Sequence, residues 1–524
     1  KGTAMSKTLK LLVSSILMNF ALVGYTSADD TKVIKSDFES YAYGEMPLSD
    51  GVDYFAAQPA TSENTFKLGA LLFIQAIEGL QQDLHRLGAG NVTIGDEFTR
   101  ATIPIFRVPV PPNDAPETAT YEATRQLLSN FVMRLESVDE TLGAITPEDF
   151  VVSLDLLKIA VDADSSGKAT AEERFGVLLQ TMDPRLSPEA AIERLEQINL
   201  DSLQIGFDNA DAKWLQGYAN LLAGTAKLIL AFNYERTYDV SAQHIFGYEA
   251  NEVGKLFKSL QADPQVIAAL QEEIKALRAE IDEVRLTVEE RQRLSELNSL
   301  AFSINRDQEL SESQRVEQLA AFQQERTDLD LKRQNFSRLS GELLEKRGRL
   351  SRLTIGVMGR QDLAQSLFEP IAFIHSINWP VEDRQMLTEV RDHWLKVLAL
   401  NHETWSLVTQ ETDDEKEWLP NPNQTSPFRG VRVSQEQIDA WLELADIGEQ
   451  VLNGELLIPS WRLPTGINVK LFFDTAERFD LVSFATGHDS ALYSQPGQEI
   501  DRQRMRELTR VFGRNIGMFA IWFN

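Results

Sequence analysis

Apolar residues recur at helical spacing through most of this chain. Between Phe66 and Leu87, residues Leu68, Leu71, Leu72, Ile74, Ile77, Leu80 and Leu84 fall on one side, which predicts a helix. The same spacing predicts helices over Tyr121–Leu142, Leu363–Ile377, Val390–Val408 and Arg506–Val511. Trp214–Phe232 is the most apolar of these segments, interrupted by Gln216, Asn220 and Lys227. Lys227 lies well inside it, where a bilayer would penalise a charge, so a buried core helix is expected rather than a membrane span. Gly217 and Gly224 stand seven apart on that helix and predict close approach of a neighbour. Residues 29–60 hold few periodic apolar positions and many turn formers, and are expected to form an irregular arm. Prolines 104, 109, 111, 112 and 116 mark a connector over Ile103–Pro116. Towards the C-terminus, Val469–Phe473 and Phe479–Phe484 are short apolar runs expected to pair as strands, and Met518–Phe523 is an aromatic run.

Residues 264–350 carry a different pattern. Ile267, Ile274, Ile281 and Val288 are seven apart, with Leu270, Leu277 and Val284 at the alternate core positions and charged residues between them. A second charged stretch, with Val316, Leu319, Phe322, Leu329, Phe336, Leu339 and Leu343, follows the break at Asn305–Ser313. This predicts an inserted antiparallel coiled-coil hairpin, each arm of about 35 residues reaching roughly 50 Å. Such a hairpin offers a surface for a protein partner or for self-association. The expected fold class is mainly α: a multi-helix globular body, the inserted hairpin, and a small β element near the C-terminus. The expected division is a helical domain over 29–263, the hairpin over 264–350, and a C-terminal region over 351–524 packed on the first.

Composition narrows the function. The chain of 524 residues has 79 acidic and 51 basic residues, a formal charge of -28. A field of that sign repels phosphate backbones, so nucleic acid is not an expected partner, and it attracts cations. With no cysteine there is no disulfide, thiolate metal site or cysteine nucleophile. Lys7 and Lys10 precede the apolar run Leu11–Val23, and Thr26 and Ala28 supply small residues before Asp29 and Asp30. The run is shorter than a span requires, so residues 1–28, including a leading scar at Lys1–Ala4, are expected to be a cleaved signal peptide. The mature chain is then periplasmic or secreted, without a membrane span.

One stretch carries recognisable chemistry: Asp162-Ala163-Asp164-Ser165-Ser166-Gly167-Lys168-Ala169-Thr170-Ala171-Glu172-Glu173. Calcium takes six to eight oxygens, and a loop of about 12 residues can wrap them round one ion. The stretch resembles the EF-hand calcium-binding loop. The resemblance implies calcium ligands at Asp162, Asp164 and Ser166, the Lys168 carbonyl, Thr170 through water, and a bidentate Glu173, with Gly167 at the sharp turn. It also implies an entering helix over Val152–Val161 and an exiting helix over Ala171–Met182. Ala169 stands where the family carries a branched apolar residue, and Ser166 replaces a carboxylate; both imply weaker affinity. Residues 138–149 resemble half of a second loop, but Val138 and Leu142 occupy ligand positions, so it is expected to be a chance match or a metal-free vestige.

Other polar groups point to no site. His393 and His402 share one predicted helix but face opposite ways, nine residues being about 900°. The other four histidines, His85, His244, His375 and His488, are scattered. The acidic run Glu411–Trp418 includes Asp413 and Asp414. It is expected to be a solvated loop; the functional alternative makes the two acids paired carboxylates of a cleft. There is no nucleophile elbow, phosphate loop or dinucleotide fingerprint. Two functions remain: an exported calcium-binding structural or interaction protein whose ion pins two helices, or a periplasmic or secreted hydrolase with carboxylates from distant segments.

Overall fold

A computed structural model describes residues 37–89, 110–176, 203–246, 264–307, 309–354, 370–414, 417–426, 432–513, 516 and 519–520. The predicted signal segment lies outside them, as do most of the proline connector and residues 177–182 of the predicted exiting helix. The fold is mainly helical, with a few short antiparallel strands. The chain divides into two compact units, Leu256–Ile371 and the sequence on either side of it.

The larger unit is built on four long helices. Helix α3 (Ser62–Arg86) follows two short ones, α1 (Asp37–Ala42) and α2 (Leu48–Ala56); α4 (Tyr121–Gly143) comes next. Strands β1 (Val152–Asp155) and β2 (Gln204–Phe207) precede α5 (Asn209–Leu230) and α6 (Glu235–Phe246). After the other unit come β3 (Asn378–Pro380) and α10 (Arg384–Val408). Helix α5 packs on α4 and α10, and α4 packs on α3. Leu71, Leu80, Leu84, Leu127, Leu128, Phe131, Leu135 and Leu142 are buried there, as the helical spacing predicts. Lys227 is 7% exposed, held between Glu136 (2.6 Å) and Glu389 (2.8 Å), so the core accepts it as a paired charge. Gly224 is required: a Cβ there would lie 2.9 Å from Trp394 Nε1, whereas one at Gly217 would meet Leu400 at an ordinary 3.7 Å. Among the described residues, no helix is long and apolar enough to cross a membrane.

Several expectations need correction. The start of the predicted irregular arm, residues 29–36, lies outside the described residues, but α1 and α2 are helices. They bury Phe38, Tyr41, Ala42, Leu48 and Phe55, in stripes too short to show periodicity. Val138 and Leu142 are core residues of α4, so residues 138–149 start inside a helix and are not a second loop. Val469–Phe473 is not a strand: Asn468 Oδ1 accepts the Leu471 N–H (2.9 Å) and caps α12 (Val469–Thr475). The run Phe479–Phe484 splits into β5 (Arg478–Asp480) and α13 (Leu481–Ala485). Strand β5 pairs with β3, Trp379 opposite Phe479; β4 (Gly466–Ile467) pairs with β6 (Ser494–Gln495). The β element is therefore two separate ribbons. Helices α11 (Gln435–Leu452) and α14 (Arg502–Val511) complete this unit.

The smaller unit holds α7 (Pro264–Val284), α8 (Val288–Arg306) and α9 (Glu312–Thr354). Helix α9 runs antiparallel to the other two: Glu273 pairs with Lys346 (2.6 Å), Glu290 with Lys332 (2.8 Å) and Arg293 with Glu325 (2.8 Å). Leu270, Leu277 and Ile281 are buried as the heptads predict, Leu277 and Ile281 packing with Leu339. Val288 is not: it is 65% exposed. The first arm breaks at Arg285–Thr287, where Thr287 and Glu290 form a capping box (3.1 and 2.9 Å) that starts α8. The buried seam of α8 is Leu294, Leu297, Ala301 and Ile304.

Candidate metal centre

The loop Asp162–Glu173 is not entered from a helix; beyond it Phe175 and Gly176 are helical, and the rest of the predicted exiting helix lies outside the described residues. Val152–Val161 contains both a helical spacing (Leu154, Leu157, Val161) and an alternating one (Val152, Leu154, Leu156). The alternating one prevails because β2 is there to pair with it: Val152 faces Phe207 and Asp155 faces Gln204. Asp155, fully buried, then accepts N–H bonds from Leu157 (3.2 Å) and Leu203 (2.9 Å), closing a single 3₁₀ turn over Leu156–Lys158. On the other side, Ala171–Glu173 is a 3₁₀ turn, after which Arg174 bridges back to Ala160 and the Phe175 N–H bonds Ile159 O (2.7 Å). An antiparallel neck closes the loop where an EF-hand has its entering helix.

Within this neck the ligand positions converge. One carboxylate oxygen from each of Asp162, Asp164 and Glu173 lies within 4.8 Å of the other two. Such separations fit within a calcium coordination sphere, whose bonds are about 2.3–2.6 Å long. Ser166 Oγ lies 3.3 Å from Asp162 Oδ1 and donates to Lys168 O at 3.1 Å, which brings the fifth and seventh positions to the same point. Gly167 has φ +92°, a conformation that side chains resist; the space beside it is empty, so the glycine serves the backbone alone. Thr170 Oγ1 turns towards Glu173 Oε2 (2.9 Å).

Amides line the centre. Asp162 accepts the N–H groups of Ser166 (2.8 Å) and Gly167 (2.8 Å), and Asp164 accepts that of Ser166 (2.9 Å). Glu173, 4% exposed, takes Ala163 N–H (2.9 Å) and Asp164 N–H (3.3 Å) on Oε1, and Thr170 N–H (2.8 Å) on Oε2. Desolvation works against the charge on Asp164, but bonds from Ser166 outweigh it and hold this carboxyl below its usual value. Asp162 Oδ2 and Asp164 Oδ1 each accept one N–H bond, whereas Asp162 Oδ1 takes the Ser166 N–H and also faces its hydroxyl. Glu173 would exchange some of its hydrogen bonds to bind through both oxygens.

Two residues outside the motif complete the setting. Glu78 and Gln82 are one turn apart on α3; Glu78 Oε2 accepts the Asp162 N–H (2.9 Å), and Gln82 donates to Asp162 O (2.8 Å). Burial, then the charges of Asp162 and Glu173, push the Glu78 carboxyl up to about 7. Sequence reasoning missed both residues. Their one trace is a pair of polar positions four apart beside the apolar stripe of that helix.

The other candidate groups stand apart from this loop. His393 Nδ1 meets Asn220 Oδ1 (2.8 Å) and His402 Nε2 meets Asp446 (3.0 Å), on separate sides of α10. Asp413 and Asp414 are exposed; Asp414 Oδ1 braces Thr425 through N–H (2.6 Å) and hydroxyl (2.8 Å) bonds. The carboxyls from distant segments that act on one another through their charge are Asp208, Asp211, Glu411 and Glu417. A groove of about 520 Å³ lies elsewhere, along α8 between Gln292 and Ser303. Compared with known protein families, curated proteins and solved structures, the chain matches none.

Proposed function

We propose that this is an exported structural or interaction protein that binds one calcium ion in the loop Asp162–Glu173. The side chains of Asp162, Asp164, Ser166 and Glu173 and the Lys168 carbonyl would hold the ion, with Thr170 acting through water. The observation that supports this best is the convergence of three carboxylates and the Ser166 hydroxyl on a volume the size of one calcium sphere. Glu78 adds a further acid beside it, a concentration of negative charge that a divalent cation relieves. The ion would fasten the loop to α3 through Asp162, and to the N-terminal helices through its neck, where the Ala160 N–H bonds Ala42 O (3.1 Å). This replaces the expected pinning of two flanking helices. The helical hairpin of the smaller unit would supply the contact surface for a partner or a second copy.

The test is a pair of melts on residues 29–524, in excess chelator and in millimolar calcium, alongside Asp162→Ala. A ligand that binds only the folded state stabilises by RT ln(1 + [L]/Kd), about 2.7 kcal/mol at 100 times Kd. A rise in Tm with calcium, absent from Asp162→Ala, is expected. No rise at any calcium concentration refutes the reading.

A further inference from the structure

Helix α14 holds four arginines in ten residues. One side of it is fastened to the body. Leu508 and the following Phe512 are buried, Phe512 beside Trp441 with ring centroids 6.2 Å apart, and Arg504 forks onto Glu443 of α11, Nε meeting Oε1 at 2.6 Å. The other three arginines, Arg502, Arg506 and Arg510, stand four apart and are exposed. On a helix each step of four turns by about 40° and rises about 6 Å, so they form one outward strip about 12 Å long. The strip continues beyond the helix. Arg502 donates to Ser460 O (3.2 Å), and the next residue, Trp461, is 73% exposed. Its indole N–H bonds Ala485 O (3.2 Å), and the Arg462 guanidinium lies over its ring, 5.6 Å from the centroid.

The strip is not neutralised from within. Among the described residues, Arg504 alone of the arginines in α14 forms an ion pair, and Arg462 forms none. Acids are not scarce, since the chain holds 79 of them against 51 bases. Like charges four apart on a helix repel, and Arg502 stands at the positive end of the helix dipole, so the arrangement is unfavourable until an anion covers it. A second exposed apolar side chain lies close by. Leu492, 72% exposed, is on the 3₁₀ turn Ser490–Tyr493, where the Ala491 N–H bonds Gly487 O (3.2 Å). Gly487 in turn abuts Arg462: a Cβ there would lie 3.0 Å from Arg462 Cγ.

We propose that Arg502, Arg506 and Arg510, with Arg462 and Trp461 at one end, dock this protein on an anionic phospholipid bilayer. A guanidinium matches a phosphate through two parallel N–H bonds. A bilayer presents phosphates in a plane, over an apolar layer that receives tryptophan at the headgroup level. It therefore covers the cations together with Trp461 and Leu492, whereas a soluble polyanion would leave the two apolar side chains in water. The formal charge of -28 opposes approach. At about 0.1 M salt, however, charges more than about 10 Å away are largely screened, so the strip decides the contact. The calcium loop has no part in this surface.

Sedimentation with vesicles tests this, using residues 29–524 so that the apolar run Leu11–Val23 does not itself bind lipid. Excess chelator keeps calcium from bridging acids to phosphates. Binding is expected to vesicles of phosphatidylcholine mixed with phosphatidylglycerol, and not to phosphatidylcholine alone. Each arginine of the strip replaced by glutamine should weaken it about fivefold, and the triple variant Arg502→Gln, Arg506→Gln, Arg510→Gln about 100-fold. Removing the same charge from the smaller unit, at Arg278, Arg347 and Arg349, should leave binding unchanged. Absence of binding to the anionic vesicles, or equal loss in the two triple variants, overturns the proposal. Should the strip variant fail to fold, the emission of Trp461 decides, read as the difference between wild type and Trp461→Phe. It should shift to the blue with anionic vesicles, and no shift overturns the proposal. Sedimentation without lipid covers the other occupant. A wild-type dimer that the strip variant turns into a monomer, with no vesicle binding, would give this face to a second copy and overturn the bilayer.

Discussion

In the loop Asp162–Glu173, carboxylates brought together are met by backbone amides; between α5 and the segment after α10, acids that raise one another's proton affinity have fewer such donors. The loop turns sharply at Ser165 (φ +59°) and Gly167 (φ +92°), which aims several N–H groups inward and favours the charged form of Asp164. At the other junction the N–H groups at the start of α5 are spent on Asp208 Oδ1, and Glu411 arrives with one amide from Gln424. The charged form is thus favoured at Asp164 and disfavoured at Glu411, which burial and then the charge of Asp208 push up to about 8. The lesson is that proximity of acids is uninformative until the donors around them are named.

The largest effect should come from removing the acceptor that the loop amides share. Glu173→Ala in chelator strands the N–H groups of Ala163, Asp164 and Thr170, and is expected to cost about 3 kcal/mol by urea denaturation. A cost under about 1 kcal/mol would mean that water replaces Glu173 freely, and the contrast between the two regions would fail. Gly167→Ala forces a side chain onto a positive φ and should cost about 1–2 kcal/mol with or without calcium. Glu411→Leu should gain about 1 kcal/mol over wild type in alkali, where it removes an enclosed charge, and nothing in mild acid, where the wild-type carboxyl is protonated. Its stability curve against pH shows both arms at once. The smallest effect concerns Asp164, whose lowered value gives stability present above the unfolded value and lost as pH falls below it. Asp164→Asn should therefore make the acid limb of the Tm profile shallower, opposite in direction to the alkaline limb set by Glu411.

How much of this was legible in the sequence depended on whether one pattern or two fitted a segment. The stripe from Leu68 to Leu84 and the run Trp214–Phe232 admit only a helix, and both are helices. Val152–Val161 admits a helix or a strand, and the deciding residues, Gln204–Phe207, lie fifty positions away. Around Val469 the apolar run suggested a strand, while the capping residue Asn468 that starts the helix stands just outside it. The loop's ligand positions were legible because they are adjacent in sequence. Glu78 and Gln82 were not, since nothing local marks a contact between residues 80 or more positions apart.

The break at Thr287 sets the azimuth of one helix against another. The last inward residue of α7 is Val284 and the first fully buried one of α8 is Leu294. On an uninterrupted helix these ten steps of about 100° would leave the two seams roughly 80° out of line. The Thr287 cap takes up that rotation in three residues, so α9 can face both helices with the one side that carries Glu325, Lys332, Leu339 and Lys346. Deleting the cap would turn Leu294, Leu297 and Ile304 almost a quarter turn away from α9 and bring Val288 round in their place.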